Sequence, residues 1–272
     1  MKKLIWILFI TFAKFSTATT YIPCTEDETG TCWPCGKTCS ARLSYPNDED
    51  KASQKNATLI FSGEGEMYGY ESPSNNPQLI GVEPWYHVRT QIIKVTVEEG
   101  ITSVGARSVY SMPNLEEISL PESVLFIDTY AFNGAKSLKK INIPENLNGF
   151  GYYVFQNNLS LGDLSFSEKL INKLSFQNKH IFSGAKMDSL YCPEQYKEKC
   201  QKVLQDSYFS DSEIENVLKY YTKSGNKYFY KGKFYKTAND IAEKNNIKFR
   251  INTIDEANQV AGKTNTFSIR YR

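Results

Sequence analysis

The residues with the most evident chemistry are six cysteines: Cys24, Cys32, Cys35, Cys39, Cys192 and Cys200. Cys32-Trp-Pro-Cys35 has the C-x-P-C form of a thiol-redox pair. Such a pair needs a low-pKa thiolate at a helix start, usually inside a strand–helix unit. No such unit is visible around it and other cysteines lie close by, so structural cross-links are the preferred reading and a secreted thiol-disulfide oxidoreductase using Cys32 and Cys35 is the alternative. Four clustered cysteines admit three pairings, and the sequence does not choose among them. The pairing we expect is Cys35–Cys39 with Cys24–Cys32, and Cys192–Cys200 further on. His87 and His180 are the two histidines, too little material for a His-rich metal site or relay. The acidic run Asp48-Glu49-Asp50 lacks calcium-ligand spacing and is expected in a solvated loop over 46–56. No pair of carboxylates stands out as catalytic, so the reading is a protein that is not an enzyme and takes no metal or cofactor.

Paired cysteines imply an oxidising compartment, and the first residues agree. Lys2 and Lys3 precede an apolar run from Leu4 to Ala13, and Ser16-Thr17-Ala18 supplies small residues for cleavage. This is the pattern of a signal peptide cut after about Ala18, too short for a confident membrane span. The C-terminal Phe267-Ser-Ile-Arg-Tyr-Arg272 is polar and basic, without the apolar tail of a lipid-anchor signal. The expected location is secreted or on an extracellular surface, with no transmembrane anchor in the mature chain. There Asn56-Ala-Thr58 and Asn158-Leu-Ser160 become usable glycosylation sequons. Composition fits a folded chain: 40% hydrophobic, 14% aromatic and 23% charged residues over 272 positions exclude disorder. A net charge of +2 implies no bulk affinity for nucleic acid.

The elements that would position any site come from a repeat. Val95, Ile118, Ile141 and Leu164 are spaced by 23 residues, and Leu190 follows after 26. Val97, Leu120, Ile143, Phe166 and Cys192 form a second column two residues on. Ile101, Val124, Leu147 and Leu170 form another, followed by Val104, Ile127 and Phe150. Val109, Phe132 and Phe155 close the unit, and Phe182 arrives 27 residues later. The turns echo too, Phe132-Asn-Gly-Ala-Lys136 against Phe182-Ser-Gly-Ala-Lys186. A period of this length with an L-x-x-I-x-L core predicts a leucine-rich-repeat solenoid. Each unit has one apolar row too small to bury itself, and stacked coils merge these rows into a continuous core. Each L-x-x-I-x-L segment is expected as a short strand in a parallel ladder, ended by Pro121, Pro144 or Pro193. Lys94, Glu117, Lys140 and Asp163 share one outward column with alternating sign, read as a solvated charge ladder or part of a polar recognition face.

The flanks are expected as caps. In 19–91, residues 40–45 and 57–62 alternate like strands, and Gly63-Glu-Gly-Glu-Met67 is expected to end the second in a turn. Glu194 to Leu204 has helical spacing. Residues 219–272 hold twelve Lys/Arg against four Asp/Glu, a net of +8, which leaves −9 on residues 19–218. Within this basic tail a hairpin around Lys231-Gly232-Lys233, a helix from Thr237 to Asn245, a strand at 248–251, a helix at 253–262 and a strand at 267–271 read as a small α+β domain of its own. Tyr220, Tyr221, Tyr228, Tyr230, Tyr235 and Tyr271 interleave with lysines there, either as an anion-gripping surface with Lys227, Lys231 and Lys233 or as the core of the domain.

Leu115-Glu-Glu-Ile118-Ser-Leu120-Pro121 with Val124, Ile127 and Ala131-Phe132 resembles the unit of the BspA-like leucine-rich-repeat surface proteins of the Treponema-pallidum type. Cys35-Gly-Lys-Thr-Cys39, Thr58 to Met67 and Pro84-Trp-Tyr86 look like that family's lead-in, and Leu190-Tyr-Cys192 with the ending 257–271 looks like the tail of its parasitic-protist members. Ser108-Val109 in place of Ala-Phe, and the missing proline and alanine of the fourth unit, depart from the pattern. The period and the flanks, with this resemblance, lead us to expect an α+β solenoid, a right-handed coil of about four to five 23-residue repeats with a disulfide-stapled N-terminal β cap and a small C-terminal α+β domain. The divisions are 1–18, 19–91, 92–193, 194–212 and 213–272. It also implies a non-enzymatic binding protein that adheres to host matrix or other cells through an extracellular protein or glycan ligand.

Overall fold

The computed structural model describes residues 31–70, 83–174 and 179–245. The signal segment, Cys24 and the elements expected beyond residue 245 lie outside the described residues.

β1 (Cys32–Pro34) and β2 (Gly36–Ser44) form an antiparallel pair. The acidic run that follows is not a loop but the first turn of α1 (Asp48–Ser53). Asn47 caps it by accepting the Asp50 N–H at 2.8 Å, and the three carboxylates sit where the helix dipole favours negative charge. β3 (Ala57–Met67) then runs antiparallel to β2. The sequence reading stops this strand at Gly63, but the strand bends there and continues to Met67. Gly63 and Gly65 take φ of +114° and +79°, and a Cβ on Gly63 would lie 2.1 Å from the Thr38 carbonyl oxygen.

That bend lets β3 start two parallel ladders. Its first half pairs with β4 (Ile92–Val97), and its last residues pair with β5 (Ile101–Val104). The first ladder continues through β6 (Glu117–Ser119), the second through β7 (Phe126–Ile127). β8 (Lys140–Ile141) and β9 (Gly149–Phe150) add the next coil to each. The N-terminal segment covers the open edge of the first coil by supplying that coil's neighbouring strands.

β10 (Leu161–Ser165) follows, tied to the preceding coil by Gly162 N–H donating to Lys139 O at 3.0 Å. At the position where other units carry proline, Ser167 caps α2 (Glu168–Lys173), accepting the Leu170 N–H at 3.2 Å. β11 (Met187–Pro193) pairs parallel to β10. α3 (Lys197–Gln205) and α4 (Asp211–Val217) lead into β12 (Leu218–Ser224), which pairs parallel to β11. β13 (Lys227–Tyr230) and β14 (Lys233–Tyr235) continue antiparallel, and α5 (Ala238–Asn245) closes the described chain. The described part of the basic tail, to residue 245, is thus joined to the solenoid through a shared sheet.

The repeat columns are columns of direct neighbours. Val95 pairs with Ile118, Ile118 with Ile141, and Leu164 with Leu190. The structure extends this column to Leu59, opposite Val95, and to Leu218, opposite Leu190. Spacings of 36 and 28 residues hide both from a search at a fixed period. Val109, Phe132, Phe155 and Phe182 are fully buried, so Ser108-Val109 fills its coil as Ala-Phe does elsewhere.

A further column is visible only in three dimensions. Arg107, Tyr130, Tyr153, His180 and Tyr208 all have positive φ, from 47° to 68°. Their side chains form one continuous stack. The Arg107 guanidinium lies 4.7 Å from the Tyr130 ring centre. Successive ring centres are then 5.1, 5.3 and 4.9 Å apart, with interplanar angles of 5°, 21° and 10°. Left-handed backbone at a tyrosine costs about 1–2 kcal/mol, and each stacked pair returns about 0.5–1.5 kcal/mol beyond its buried area. A second left-handed column, Ser111, Gly134, Asn157 and Gly184, explains the echoed Asn-Gly and Ser-Gly turns.

One buried group is out of keeping with this core. Glu83 is 1% exposed, and neither carboxylate oxygen has a hydrogen-bond partner among the described residues. Burial pushes its carboxyl up to about 8, against the pull of Arg89 and Arg107.

Tyr153→Asn tolerates left-handed backbone but loses both stacking contacts, and should cost about 1–3 kcal/mol. Tyr153→Val loses the same contacts and also resists positive φ, so chemical denaturation should show a larger loss; equal losses would mean the backbone conformation carries no weight. For Glu83, the folded chain holds the proton more tightly than the unfolded chain. Its contribution is therefore full below about 4.5, the ordinary value, and is lost as pH rises through about 8. Glu83→Gln should melt higher than the parent chain at pH 8 and show a flatter stability profile from pH 5 to 8, by differential scanning calorimetry.

Candidate functional site

The outward column of the first ladder was the sequence's candidate face, and its members meet. Lys94 lies opposite Glu117, and Glu117 opposite Lys140. Glu117 Oε1 is 3.2 Å from Lys94 Nζ and 3.8 Å from Lys140 Nζ. Exposed pairs of this kind contribute about 0–1 kcal/mol, so they set charge and orientation more than stability. Asp163 stands on β10 opposite Ser189 and faces the same cleft. One row over, Asn142 clamps the previous coil: its Oδ1 accepts the Leu120 N–H at 2.8 Å, and its Nδ2 donates to the Leu120 carbonyl at 2.6 Å.

The cleft, about 320 Å³, lies between this ladder and the N-terminal turns of α5. Its wall is built by a second apolar core, one that the sequence left undecided. Tyr191 on β11 packs with Tyr221, Tyr228, Tyr230, Tyr235, Ala238, Ile241 and Ala242. The interleaved tyrosines at 221, 228, 230 and 235 are therefore core residues and not an exposed platform. Their hydroxyls still find acceptors: Tyr221 donates to Phe166 O at 2.8 Å and Tyr228 to Glu145 Oε2 at 2.9 Å. Burial first, then the Glu145 carboxylate, pushes both phenols well above their ordinary value, so both act as neutral donors.

Glu145 is the hinge of the wall. It accepts Tyr228 O–H and, through Oε1, the Ala238 N–H at 2.9 Å. Asn239 adds a donor to Ile143 O at 2.8 Å and accepts from Ser165 Oγ at 2.8 Å. The turn before α5 is closed by a capping box. Thr237 Oγ1 accepts the Asp240 N–H, and Asp240 Oδ2 accepts the Thr237 N–H, both at 3.0 Å. The lining includes Glu117, Glu122, Glu145, Asp163, Asp240 and Glu243 against Lys139 and Lys140, so the cleft is acidic. Lys227, Lys231 and Lys233 do not line it; they are exposed on the hairpin.

Other candidates fare differently. Cys35 pairs with Cys39 and Cys192 with Cys200, and Cys32 is also disulfide-bonded; Cys24 lies outside the described residues. Since Cys35 is joined to Cys39, and Cys32–Pro34 is a strand, the oxidoreductase reading lacks both its disulfide and its helix start. The Asn158 sequon is also corrected. Asn158 is fully buried, its Oδ1 accepting the Ala135 N–H at 3.0 Å, so a folded chain has no room for a glycan there. Asn56 is exposed, with its Nδ2 on Asp50 Oδ1 at 2.6 Å. Among the described residues no cluster of His, Cys, Asp and Glu could hold a metal ion, and no helix is long and apolar enough to cross a membrane.

Stacked parallel coils with apolar columns at a fixed period define a leucine-rich-repeat protein. Residues 74–182 match the model of the BspA type Leucine rich repeat region in six copies. Among solved structures, the chain is similar to a leucine-rich repeat protein from Eubacterium ventriosum, at 25% identity and a TM-score of 0.45, over 60% of this chain and 38% of that one. It is similar to the Treponema pallidum leucine rich repeat protein at 18% identity and a TM-score of 0.33, over 60% of this chain and 92% of that one. A Bacteroides ovatus leucine-rich repeat protein matches at 15% identity and a TM-score of 0.34, over 56% of this chain and 45% of that one. No curated protein matches the sequence.

If Glu145 holds the wall of the cleft, Glu145→Ala should loosen the hairpin and α5 while leaving the coils intact. Two hydrogen bonds to a carboxylate are lost, so local docking should weaken by about 2 kcal/mol or more. Hydrogen exchange read residue by residue should then show β13 and β14 amides losing protection while β4 and β6 amides keep theirs. Uniform loss across the chain would contradict the assignment.

Proposed function

We propose that this chain is a non-enzymatic extracellular binding protein, serving adhesion to other cells or to matrix through the ladder face of its solenoid. The observation that carries the reading is the in-register row Lys94–Glu117–Lys140, with Asp163 beyond it, held rigid by the backbone ladder and walled by α5. A stacked-coil sheet is a stiff, extended surface, which suits recognition of a protein or glycan. The likeness to BspA-like surface proteins and the signal-type N-terminus support the location. On this reading the chain is secreted after cleavage near Ala18, carries a glycan on Asn56 and closes a Cys24–Cys32 disulfide. The acidic lining of the cleft favours a ligand segment that brings basic groups.

The test is titration of the purified protein over immobilised matrix proteins and over intact cells by biolayer interferometry. The double variant Glu117→Gln, Lys140→Gln should lose less than about 1 kcal/mol of stability, because the pairs are exposed. It should nevertheless weaken saturable binding tenfold or more, about 1.4 kcal/mol. Binding that ignores both substitutions would move the site off the ladder face, and no saturable binding to any matrix protein or cell would end the adhesion reading.

A further inference from the structure

The β13–β14 hairpin turns through Lys231 and Gly232, with φ of 47° and 72° at the two positions, the geometry that suits the twist of a tight hairpin. Its two faces do different things. Tyr228, Tyr230 and Tyr235 point inward and are buried in the second core. Phe229 and Phe234 are cross-strand partners on the outer face, with ring centres 6.1 Å apart. They are 37% and 52% exposed, although the hairpin's apolar demand is already met on the inner side. Lys227 shares the strand face of Phe229, two residues away, and its Nζ lies 5.7 Å from the Phe234 ring centre. Lys231 stands exposed at the turn, its Nζ 5.3 Å from the Tyr230 ring centre, and Lys233, also exposed, is the cross-strand partner of Tyr230, so both sit at the rim of the turn rather than on the Phe229–Phe234 face. Among the described residues no carboxylate pairs with Lys227, Lys231 or Lys233, whereas Lys223 on the adjoining strand is paired with Glu168 at 3.9 Å.

We propose that this outer face is a second binding site, for a sulfated polysaccharide. Sugar rings would lie against the exposed rings of Phe229 and Phe234, and sulfates would meet Lys227 on that face and Lys231 and Lys233 at the rim of the turn. The layout selects that ligand. Lys227 opens one strand, Lys231 stands in the turn and Lys233 opens the next strand, so the three ammonium groups are carried on different parts of the hairpin and not in one anion pocket. They match a chain of flat rings that carries anionic groups at intervals. The basic balance of residues 219–272, +8, concentrates this attraction at one end of a chain whose residues 19–218 carry −9. The site is on the opposite side of the hairpin from the ladder cleft, so either could fail without the other.

Full-length protein should bind immobilised heparin in low salt, with affinity falling steeply as ionic strength approaches physiological values. The triple variant Lys227→Glu, Lys231→Glu, Lys233→Glu should lose tenfold or more in affinity with an unchanged melting temperature. A control triple of equal charge change at exposed sites elsewhere, Lys51→Glu, Lys136→Glu, Lys186→Glu, should lose less than threefold. Phe229→Ala with Phe234→Ala should weaken binding while leaving its salt dependence unchanged. No heparin binding in low salt would overturn the proposal, as would equal losses in the two triple variants. Binding to vesicles of phosphatidylserine and phosphatidylcholine without binding to heparin would also overturn it and assign the face to an anionic membrane.

Discussion

Everything in this molecule rests on the stacking of one coil upon the next. No coil can bury its own apolar row: Ile118 needs Val95 on one side and Ile141 on the other, and each strand's backbone groups need a neighbour to accept and donate. Backbone hydrogen bonds run in the same columns, from Glu116 N–H to Ile93 O, from Lys139 N–H to Glu116 O and from Gly162 N–H to Lys139 O. Superposition is what turns a repeat in sequence into an extended surface, because equivalent side chains of neighbouring coils arrive about 4.8 Å apart.

The same superposition settles a local conflict. Arg and Tyr are poor choices for left-handed backbone, yet Arg107, Tyr130, Tyr153 and Tyr208 adopt it in line with His180. Each coil must turn sharply at that point, and a flat side chain there stacks on its equivalents above and below. The cost is local and the return is shared between coils, so the arrangement is stable only as a column. Arg107 caps one end as a cation over a ring face, and Tyr208, 72% exposed, leaves the other end open.

A parallel stack also has ends, and open strand edges invite unwanted pairing. At the N-terminal end, the Cys35–Cys39 disulfide ties the turn of the antiparallel β1–β2 pair to β2, and β3 turns from that pair into both ladders. At the other end, β12 adds one more parallel strand before the chain reverses into β13 and β14. That reversal gives the hairpin two unlike faces. The hairpin's tyrosine face is spent on Tyr191 and the solenoid, Glu145 latches it there, and the result is an acidic cleft on one side and a basic, aromatic face on the other.

The sequence by itself determined the coil. Apolar residues at a strict period have one economical solution, and columns such as Val95, Ile118 and Ile141 and the charges of Lys94, Glu117 and Lys140 could be read directly, because a fixed period maps one-to-one onto spatial neighbours. Where the period breaks, the reading broke too. Leu59 and Leu218 belong to the same column but stand 36 and 28 residues from their partners, and loop length is invisible to the ladder once the strand pairs. Only the tertiary structure decided which side of an alternating strand faces inward. Tyr228 and Phe229 are adjacent and alike in composition, yet one is buried against the solenoid and the other faces water. Asn158 carries a complete sequon and is sealed in the core by the Ala135 N–H of the coil before it. Alternation fixes that two faces exist, while their assignment depends on what the rest of the chain brings up against them.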